Sequence, residues 1–123
     1  MNGNNLLIDT NIALYLFDGD EEIEDILQDK NVYFSFVNEL ELLSYNTLSK
    51  EAINIIKDFI NDCILIDINE EIKNNTINIR KEYNLKLPDA IIAGTSQFLN
   101  IPLLTADKDF ERIEELPVII YEI

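Results

Sequence analysis

In the segment Leu6-Leu7-Ile8-Asp9-Thr10-Asn11, a short apolar run ends in a carboxylate and leads into a helical pattern. The apolar run is typical of a buried strand, and Ile12 and Leu16 supply the apolar stripe of a helix. The same alternation of apolar runs and helical patterns recurs along the whole chain. It predicts an α/β fold with a parallel sheet, formed by one domain over residues 1–123.

Apolar runs elsewhere in the chain predict the remaining strands. Cys63 is expected to be a small core residue within one of them, Cys63–Ile66, which is predicted to be buried. A helix is predicted from Glu39 to Tyr45, and Pro88 suits the first position of an almost wholly apolar helix. Within that helix, close packing on the sheet would explain Gly94. The predicted strands are Leu6–Ile8, Val32–Ser35, Cys63–Ile66, Leu103–Leu104 and Val118–Tyr121.

The absence of histidine narrows the chemistry that the chain is able to perform. Serine–histidine and cysteine–histidine catalysis are excluded, and so are histidine zinc sites. The single cysteine excludes an internal disulfide. Metal or acid–base chemistry must therefore rest on carboxylates, lysines, hydroxyls or bound water. Oxygen ligands of this kind favour hard ions such as Mg²⁺ and Mn²⁺.

The formal net charge of −15 argues against a simple electrostatic nucleic-acid binder. The cations are concentrated in residues 73–112, where 6 basic residues accompany 5 acidic ones. This distribution allows a modest basic surface beside a cluster of carboxylates. No apolar run reaches the roughly 18 residues that cross a bilayer, and the segment before Asp9 lacks the features of a secretion signal. We expect a cytoplasmic protein without membrane contact.

Four carboxylates occupy positions where the predicted fold places functional groups. Asp9 ends the first strand, and Asp107 follows the fourth strand by two residues. Both are expected at the carboxyl edge of the sheet, where open parallel sheets bind ligands. Glu41 and Asp89 lie in apolar helices, where a carboxylate costs free energy unless it is paired or bound to a metal. A divalent ion relieves the repulsion among such acids, activates water and stabilises a phosphate transition state.

Each of these acids also has a purely structural interpretation. Asp9 and Asp107 are able to cap the helices that follow them, and Asp89 suits the first turn of its helix. Glu41 is able to face solvent, with Glu39 facing the edge of the core instead, and spacing alone barely separates the two. The joint pattern therefore favours a metal site more strongly than any single acid does.

Four motifs, in order and at fitting spacing, resemble those of the PIN-domain nucleases, especially the VapC-type toxins of bacterial type II toxin–antitoxin pairs. The resemblance runs almost from end to end, and the second motif places the glutamate of the metal site at Glu41. The motifs are Leu7-Ile8-Asp9-Thr10-Asn11, Ser35-Phe36-Val37-Asn38-Glu39-Leu40-Glu41-Leu42, Leu87-Pro88-Asp89-Ala90-Ile91-Ile92-Ala93 and Leu103-Leu104-Thr105-Ala106-Asp107-Lys108-Asp109-Phe110.

This resemblance implies a PIN-like three-layer α/β/α fold with a roughly five-stranded parallel sheet. It implies an endoribonuclease that depends on one or two Mg²⁺ or Mn²⁺ ions and cleaves single-stranded regions of RNA, such as those of tRNA. An antitoxin partner and a homodimer are further expectations of the family. The implied catalytic metal ligands are Asp9, Glu41, Asp89 and Asp107, and the alternative role for Glu41 is to orient the attacking water. Asp109 is a further candidate ligand, and Asn11 and Thr105 are the implied hydrogen-bond partners of the ligands.

The basic residues near these motifs are candidates for RNA contact, although an ordinary solvated charge is the alternative for each. The net charge of −15 is the main departure from the family pattern, because it is unusually acidic for a protein that binds RNA. The candidates are Arg80, Lys81, Lys86, Lys108 and Arg112.

Other functions fit the motifs less well. A signalling receiver domain needs an acidic pair after the first strand, where this chain has Asp9-Thr10. A phosphatase with an Asp-x-Asp nucleophile is disfavoured because Asn11 stands in place of the second acid. The remaining rival belongs to another class: a PIN-like fold kept as an RNA- or protein-binding module without cleavage.

Overall fold

The computed structural model describes residues 4–122, so residues 1–3, part of the segment before Asp9, and residue 123 lie outside it. Within that range, no helix has the length and apolar character needed to cross a membrane. The strands are β1 (Asn5–Ile8), β2 (Asn31–Ser35), β3 (Ile64–Ile66), β4 (Leu103–Thr105) and β5 (Val118–Ile120). The helices are α1 (Thr10–Phe17), α2 (Glu21–Leu27), α3 (Phe36–Leu43), α4 (Lys50–Asp62), α5 (Glu70–Tyr83), α6 (Leu87–Leu99) and a 3₁₀ helix (Lys108–Arg112).

The strands form one parallel sheet in the order β3-β2-β1-β4-β5. The chain runs outward from β1 through β2 and β3, and then crosses back to place β4 on the other side of β1. This reversal opens a crevice at the carboxyl ends of β1 and β4, which is where open α/β sheets bind ligands. The predicted five-stranded parallel sheet is confirmed.

Alternation of side chains along β1 divides the core between the two faces of the sheet. Leu6 and Ile8 belong to a buried cluster with α1, α2 and α4. Leu7 belongs to a second cluster with α5 and α6. Helix α3 contributes a residue to each cluster, since Leu42 lies in the first and Val37 in the second. The predicted three-layer α/β/α arrangement is therefore confirmed.

The prediction for the third strand was wrong in its start and in its burial. Cys63 ends α4, where its N–H donates to the carbonyl oxygen of Ile60 at 3.0 Å, and its side chain is half-buried. The strand begins at Ile64, and Ile64 and Leu65 remain 44% and 39% exposed. Their exposure follows from the strand order, because β3 is an edge of the sheet.

Several helix and strand ends also differ from the prediction. Helix α3 begins at Phe36 rather than Glu39, because Ser35 caps it by accepting the Val37 N–H at 3.2 Å. Pro88 occupies the second position of α6 rather than the first. Strand β4 extends one residue further than predicted, to Thr105, and strand β5 ends one residue earlier, at Ile120.

Gly94 has a different packing partner from the one expected. It packs against α5 rather than the sheet, and a Cβ atom at Gly94 would lie 2.9 Å from Thr76 Oγ1 and 3.2 Å from the Thr76 nitrogen. Asn75 Nδ2 also donates to the Gly94 carbonyl oxygen at 3.1 Å. The glycine therefore allows α5 and α6 to approach closely, which fixes the helix that carries Asp89.

Candidate active site

A cavity of about 160 Å³ lies at the carboxyl ends of β1 and β4. All four acids singled out from the sequence line it, each from a different segment of the chain. Asp9 follows β1, Glu41 lies on α3, Asp89 lies on α6 and Asp107 precedes the 3₁₀ helix. The remaining lining residues are Thr10, Asn11, Tyr45, Ile92 and Phe110.

The charge of this cavity, not its size, distinguishes it from a larger cavity between α2 and α4. This larger cavity, of about 370 Å³, has a mainly apolar lining that includes two acids, Glu24 and Asp62. The 160 Å³ cavity gathers four acids that are distant in sequence. Such a concentration of negative charge requires a compensating cation or proton.

Asp9 is the most deeply buried of the four acids, with 6% of its surface exposed. Its Oδ1 caps α1 by accepting the Ile12 N–H at 3.1 Å, and its Oδ2 accepts the hydroxyl hydrogen of Thr105. Burial raises the pKa of Asp9, the two hydrogen bonds partly offset that rise, and the charges of Asp107 and Glu41 add to it. Asp9 therefore does both: it caps α1 and it lines the cavity.

Thr105 reaches Asp9 because of the register between β1 and β4. Ile8 pairs with Leu104, so the next residues, Asp9 and Thr105, lie side by side at the ends of neighbouring strands. Thr105 is fully buried, and its Oγ1 also accepts the Asp107 N–H at 3.0 Å. The structure thus supplies the contact that the predicted role of Thr105 requires.

Asp89 is half-buried in the first turn of α6. Burial is the largest cause that raises its pKa to about 6, and the charges of Asp107, Glu41 and Asp9 raise it further. Lys86 at the start of the helix partly lowers it. The shift indicates that the four carboxylates are close enough to repel one another.

Glu41 is exposed, which agrees with the solvent-facing alternative left open for it. Helix α3 presents its side chain at the cavity, where Oε1 accepts the hydroxyl hydrogen of Thr10 at 2.7 Å. Thr10 Oγ1 in turn accepts from Asn38 Nδ2 at 2.8 Å. Glu39, the alternative left open by spacing, is half-buried and is not part of the cavity lining.

Asp107 and Asp109 occupy different positions although only Lys108 lies between them in the sequence. Asp107 is half-buried and lines the cavity, and its Oδ1 accepts the Asp109 N–H at 2.9 Å. The side chain of Asp109 is exposed and lies outside the lining. The structure therefore brings Asp107 to the other acids and leaves Asp109 away from them. Asn11 lies at the exposed rim of the cavity.

The donor set of the cavity suits a hard divalent ion that keeps part of its hydration. In residues 4–122, no three acidic or cysteine side chains converge closely enough to hold an ion directly. Mg²⁺ usually retains several waters and binds proteins through one or two carboxylates. The oxygen donors surround a small space, and the pKa values of Asp9 and Asp89 are raised by burial and further by mutual repulsion, which fits such an ion.

The two arginine candidates for RNA contact are tied to the backbone near the α5–α6 connection. Arg80 Nε donates to the Leu85 carbonyl oxygen at 3.2 Å. Arg112 Nη2 donates to the carbonyl oxygen of Tyr83. Both side chains therefore brace the segment that leads into α6, and neither belongs to the lining described for the cavity.

The three lysine candidates also lie outside the lining described for the cavity. Lys86 is near enough to Asp89 to lower its pKa. Lys108 Nζ pairs with Glu122 Oε1 at 3.7 Å, and both side chains are largely exposed. Lys81 is exposed in the last turn of α5. Of the five basic candidates, Lys86 has the clearest electrostatic link to the acids.

Three polar residues that lie in or behind the cavity have no role in the predictions made from the sequence. Thr10 and Tyr45 line it, and Asn38 lies behind Thr10. Asn38 carried a usable signal, because a polar residue stands on the buried face of α3 one turn before Glu41. Tyr45 carried none, since it follows the end of its helix in an irregular segment.

The chain matches the family model described as PIN domain over residues 6–116. It is similar to a solved toxin–antitoxin complex from Klebsiella pneumoniae, with 30% identity, a TM-score of 0.83, and coverage of 96% of this chain and 99% of that one. VapBC-1 from nontypeable Haemophilus influenzae shares 25% identity at a TM-score of 0.74, covering 94% and 97% of the two chains. VapBC2 from Rickettsia felis, bound to a promoter DNA fragment, shares 18% identity at a TM-score of 0.86, covering 96% and 99%. No curated protein matches the chain significantly.

Proposed function

The chain belongs to the PIN-domain family, and we propose that it is a metal-dependent endoribonuclease and the toxin of a toxin–antitoxin pair. The observation that carries the proposal is the cavity at the carboxyl ends of β1 and β4, where the order of the strands reverses. It is lined by Asp9, Glu41, Asp89 and Asp107. Structural needs alone do not explain four mutually repelling acids from four segments. A nuclease that binds cations uses such a cluster directly.

Mg²⁺ or Mn²⁺, as one or two ions, would be held by Asp9, Glu41, Asp89 and Asp107. When bound, such ions supply an activated water and stabilise the negative charge that develops on a phosphate. The protein contributes fixed ligand positions. The Ile12 N–H and the Thr105 hydroxyl hold the two oxygens of Asp9, so that carboxylate is oriented before a ligand arrives.

Single-stranded RNA suits the shape of the site better than a duplex. The cavity is small, so a phosphate on a flexible strand reaches the acids more easily than one held in a rigid helix. Tyr45 stands at the cavity with 51% of its surface exposed, and exposed aromatic rings stack on unpaired bases. Lys86, beside Asp89, is the cation best placed to contact the strand that enters.

An antitoxin partner forms part of the same proposal. The complex from Klebsiella pneumoniae, at 30% identity, is a toxin with its antitoxin. With a net charge of −15, this chain would bind most favourably a partner whose contact surface is basic. We further propose that the chain acts in the cytoplasm as a homodimer of one PIN domain per chain, spanning residues 1–123.

Cleavage of a mixed pool of unstructured RNAs and tRNAs by the purified chain tests the proposal. Wild type and Asp9→Asn would be incubated with Mn²⁺, with Mg²⁺ and with EDTA. Discrete fragments from the wild type alone, lost with EDTA, are expected. Asp109→Asn is a matched control, because it removes a nearby acid that lies outside the cavity.

Intact RNA in every lane, together with measurable Mn²⁺ binding by calorimetry, would contradict the nuclease. The chain would then be a PIN-fold module that binds RNA or protein without cleavage. Equal cleavage by wild type and Asp9→Asn would instead exclude the cavity as the site of reaction.

A further inference from the structure

A buried asparagine lies behind the cavity, one helical turn before Glu41 on α3. Asn38 is 0% exposed, and its Nδ2 donates to Thr10 Oγ1 at 2.8 Å. Thr10 Oγ1 donates to Glu41 Oε1 at 2.7 Å. The threonine is the first residue of α1, so the two hydrogen bonds connect the start of one helix with two positions on another.

The direction of these hydrogen bonds is set by the amide of Asn38. An amide nitrogen only donates, so its contact occupies an acceptor position of the Thr10 oxygen. The single hydroxyl hydrogen of Thr10 is then free to point at Glu41. Loss of the amide would let the hydroxyl rotate and donate elsewhere.

Glu41 depends on such a contact more than Asp9 does. Asp9 is buried and accepts hydrogen bonds on both oxygens, whereas Glu41 is exposed on a longer side chain. An exposed glutamate samples several rotamers, and each carries the carboxylate to a different place. The hydroxyl of Thr10 selects the rotamer that faces the cavity.

Stability alone does not account for an asparagine at this position. Asn38 Oδ1 is buried and meets no hydrogen-bond partner among the residues that the structure describes. A buried polar atom without a partner costs free energy that an apolar side chain of the same shape would avoid. The residue therefore weakens the fold locally while it supports a group at the cavity.

We infer that Asn38 is a positioning residue that holds Glu41 over the cavity through the hydroxyl of Thr10. This inference rests on the proposed function, since Glu41 acts there as a ligand. Asn38 itself is too deeply buried to touch RNA or an ion. Its effect is exerted wholly through Thr10 and Glu41.

Asn38→Leu is the direct test, because leucine keeps the approximate shape and removes the donor. We expect kcat for RNA cleavage to fall tenfold or more, with KM changed less than twofold. Calorimetry in the absence of RNA should show about tenfold weaker Mn²⁺ binding, which is a readout independent of cleavage. The Tm of the metal-free protein should be unchanged or higher, since the unpaired Oδ1 is gone.

A double-mutant cycle with Thr10→Val separates this route from a general structural effect. Both residues act through one chain of contacts. The double variant should therefore lose no more cleavage activity and no more Mn²⁺ affinity than the more impaired of the two single variants. Thr10→Val also serves as the test if Asn38→Leu does not fold. Thr95→Val is the matched control, because Thr95 is also fully buried but donates only to the Ile91 carbonyl oxygen of its own helix.

The outcomes separate the inference from the proposed function. Normal cleavage and normal Mn²⁺ binding by folded Asn38→Leu, or independent losses that multiply in the cycle, would overturn the inference and leave the nuclease intact. If the wild type binds Mn²⁺ but does not cleave RNA, the proposed nuclease activity is excluded. Calorimetry of Mn²⁺ binding would still test the role of Asn38. A wild type that binds no Mn²⁺ would overturn both.

Discussion

Thr105 donates its hydroxyl hydrogen to Asp9 across 96 residues of sequence. The contact follows from the pairing of Ile8 with Leu104, which places the two residues side by side where β1 and β4 end. The same threonine oxygen accepts the Asp107 N–H at 3.0 Å. One buried hydroxyl therefore fixes the positions of two acids that line the cavity.

Thr105→Val should lower RNA cleavage by roughly 10- to 100-fold, because valine has the same shape but cannot orient the Asp9 carboxylate. Steady-state rates with saturating Mn²⁺ measure the effect. Thr105→Ser keeps the hydroxyl and should retain most of the activity. Equal losses in the two variants would mean that packing of the methyl group matters, and not the hydrogen bond.

Asp107→Asn and Asp109→Asn should behave differently although the two residues are close in sequence. Asp107 lines the cavity and Asp109 does not. A ligand that binds the folded state raises stability by RT ln(1 + [L]/Kd), so Mn²⁺ should raise the Tm of wild type and of Asp109→Asn. The rise should be much smaller for Asp107→Asn. A loss of the Mn²⁺ effect in Asp109→Asn alone would place the ion outside the cavity.

Periodicity was sufficient to predict the sheet, because buried strands and amphipathic helices leave strong local patterns. It failed for β3, where an apolar run reads as buried although strand order places Ile64 and Leu65 at the edge. Strand order depends on which helices cross over which strands. That information is not contained in any single segment.

The carboxylates of the site were predictable because strand ends and motifs mark them. The exposure of Glu41 and its contact with Thr10 were not predictable, since they depend on how α1 and α3 lie against each other. Asn38 shows the same limit. Its position on an apolar face was visible in the sequence, but its partner was 28 residues away.

The stability of the metal-free protein should depend on pH through Asp89. Its pKa is raised from 3.8 to about 6, so the folded state binds the proton more tightly than the unfolded state does. Protonated Asp89 therefore favours the folded state. This contribution to the free energy of unfolding is fully present below pH 3.8 and is lost as the pH rises through about 6. Asp89→Asn should therefore be more stable than wild type at pH 7, with the difference shrinking toward pH 4. Urea denaturation with EDTA at both pH values tests this, and a constant difference would contradict it.

Gly94→Ala should destabilise the fold even though alanine favours helices. The new Cβ would lie 2.9 Å from Thr76 Oγ1 and 3.2 Å from the Thr76 nitrogen. Overpacking of this kind costs about 1–3 kcal/mol, against a gain of about 1 kcal/mol in helix propensity. Urea denaturation should show a net loss. Adding Thr76→Ala removes the nearer contact, so Gly94→Ala should cost less in that background than in wild type.

Tyr45→Ala should weaken RNA binding more than it slows the chemical step. The ring stands exposed at the cavity, where it is able to stack on an unpaired base. Loss of one stacked base costs about 1–3 kcal/mol, so KM should rise about tenfold or more while kcat changes little. Tyr45→Phe keeps the ring and should behave like wild type. If phenylalanine is as damaging as alanine, the hydroxyl carries the interaction. If neither variant changes KM, RNA enters the cavity without touching this side chain.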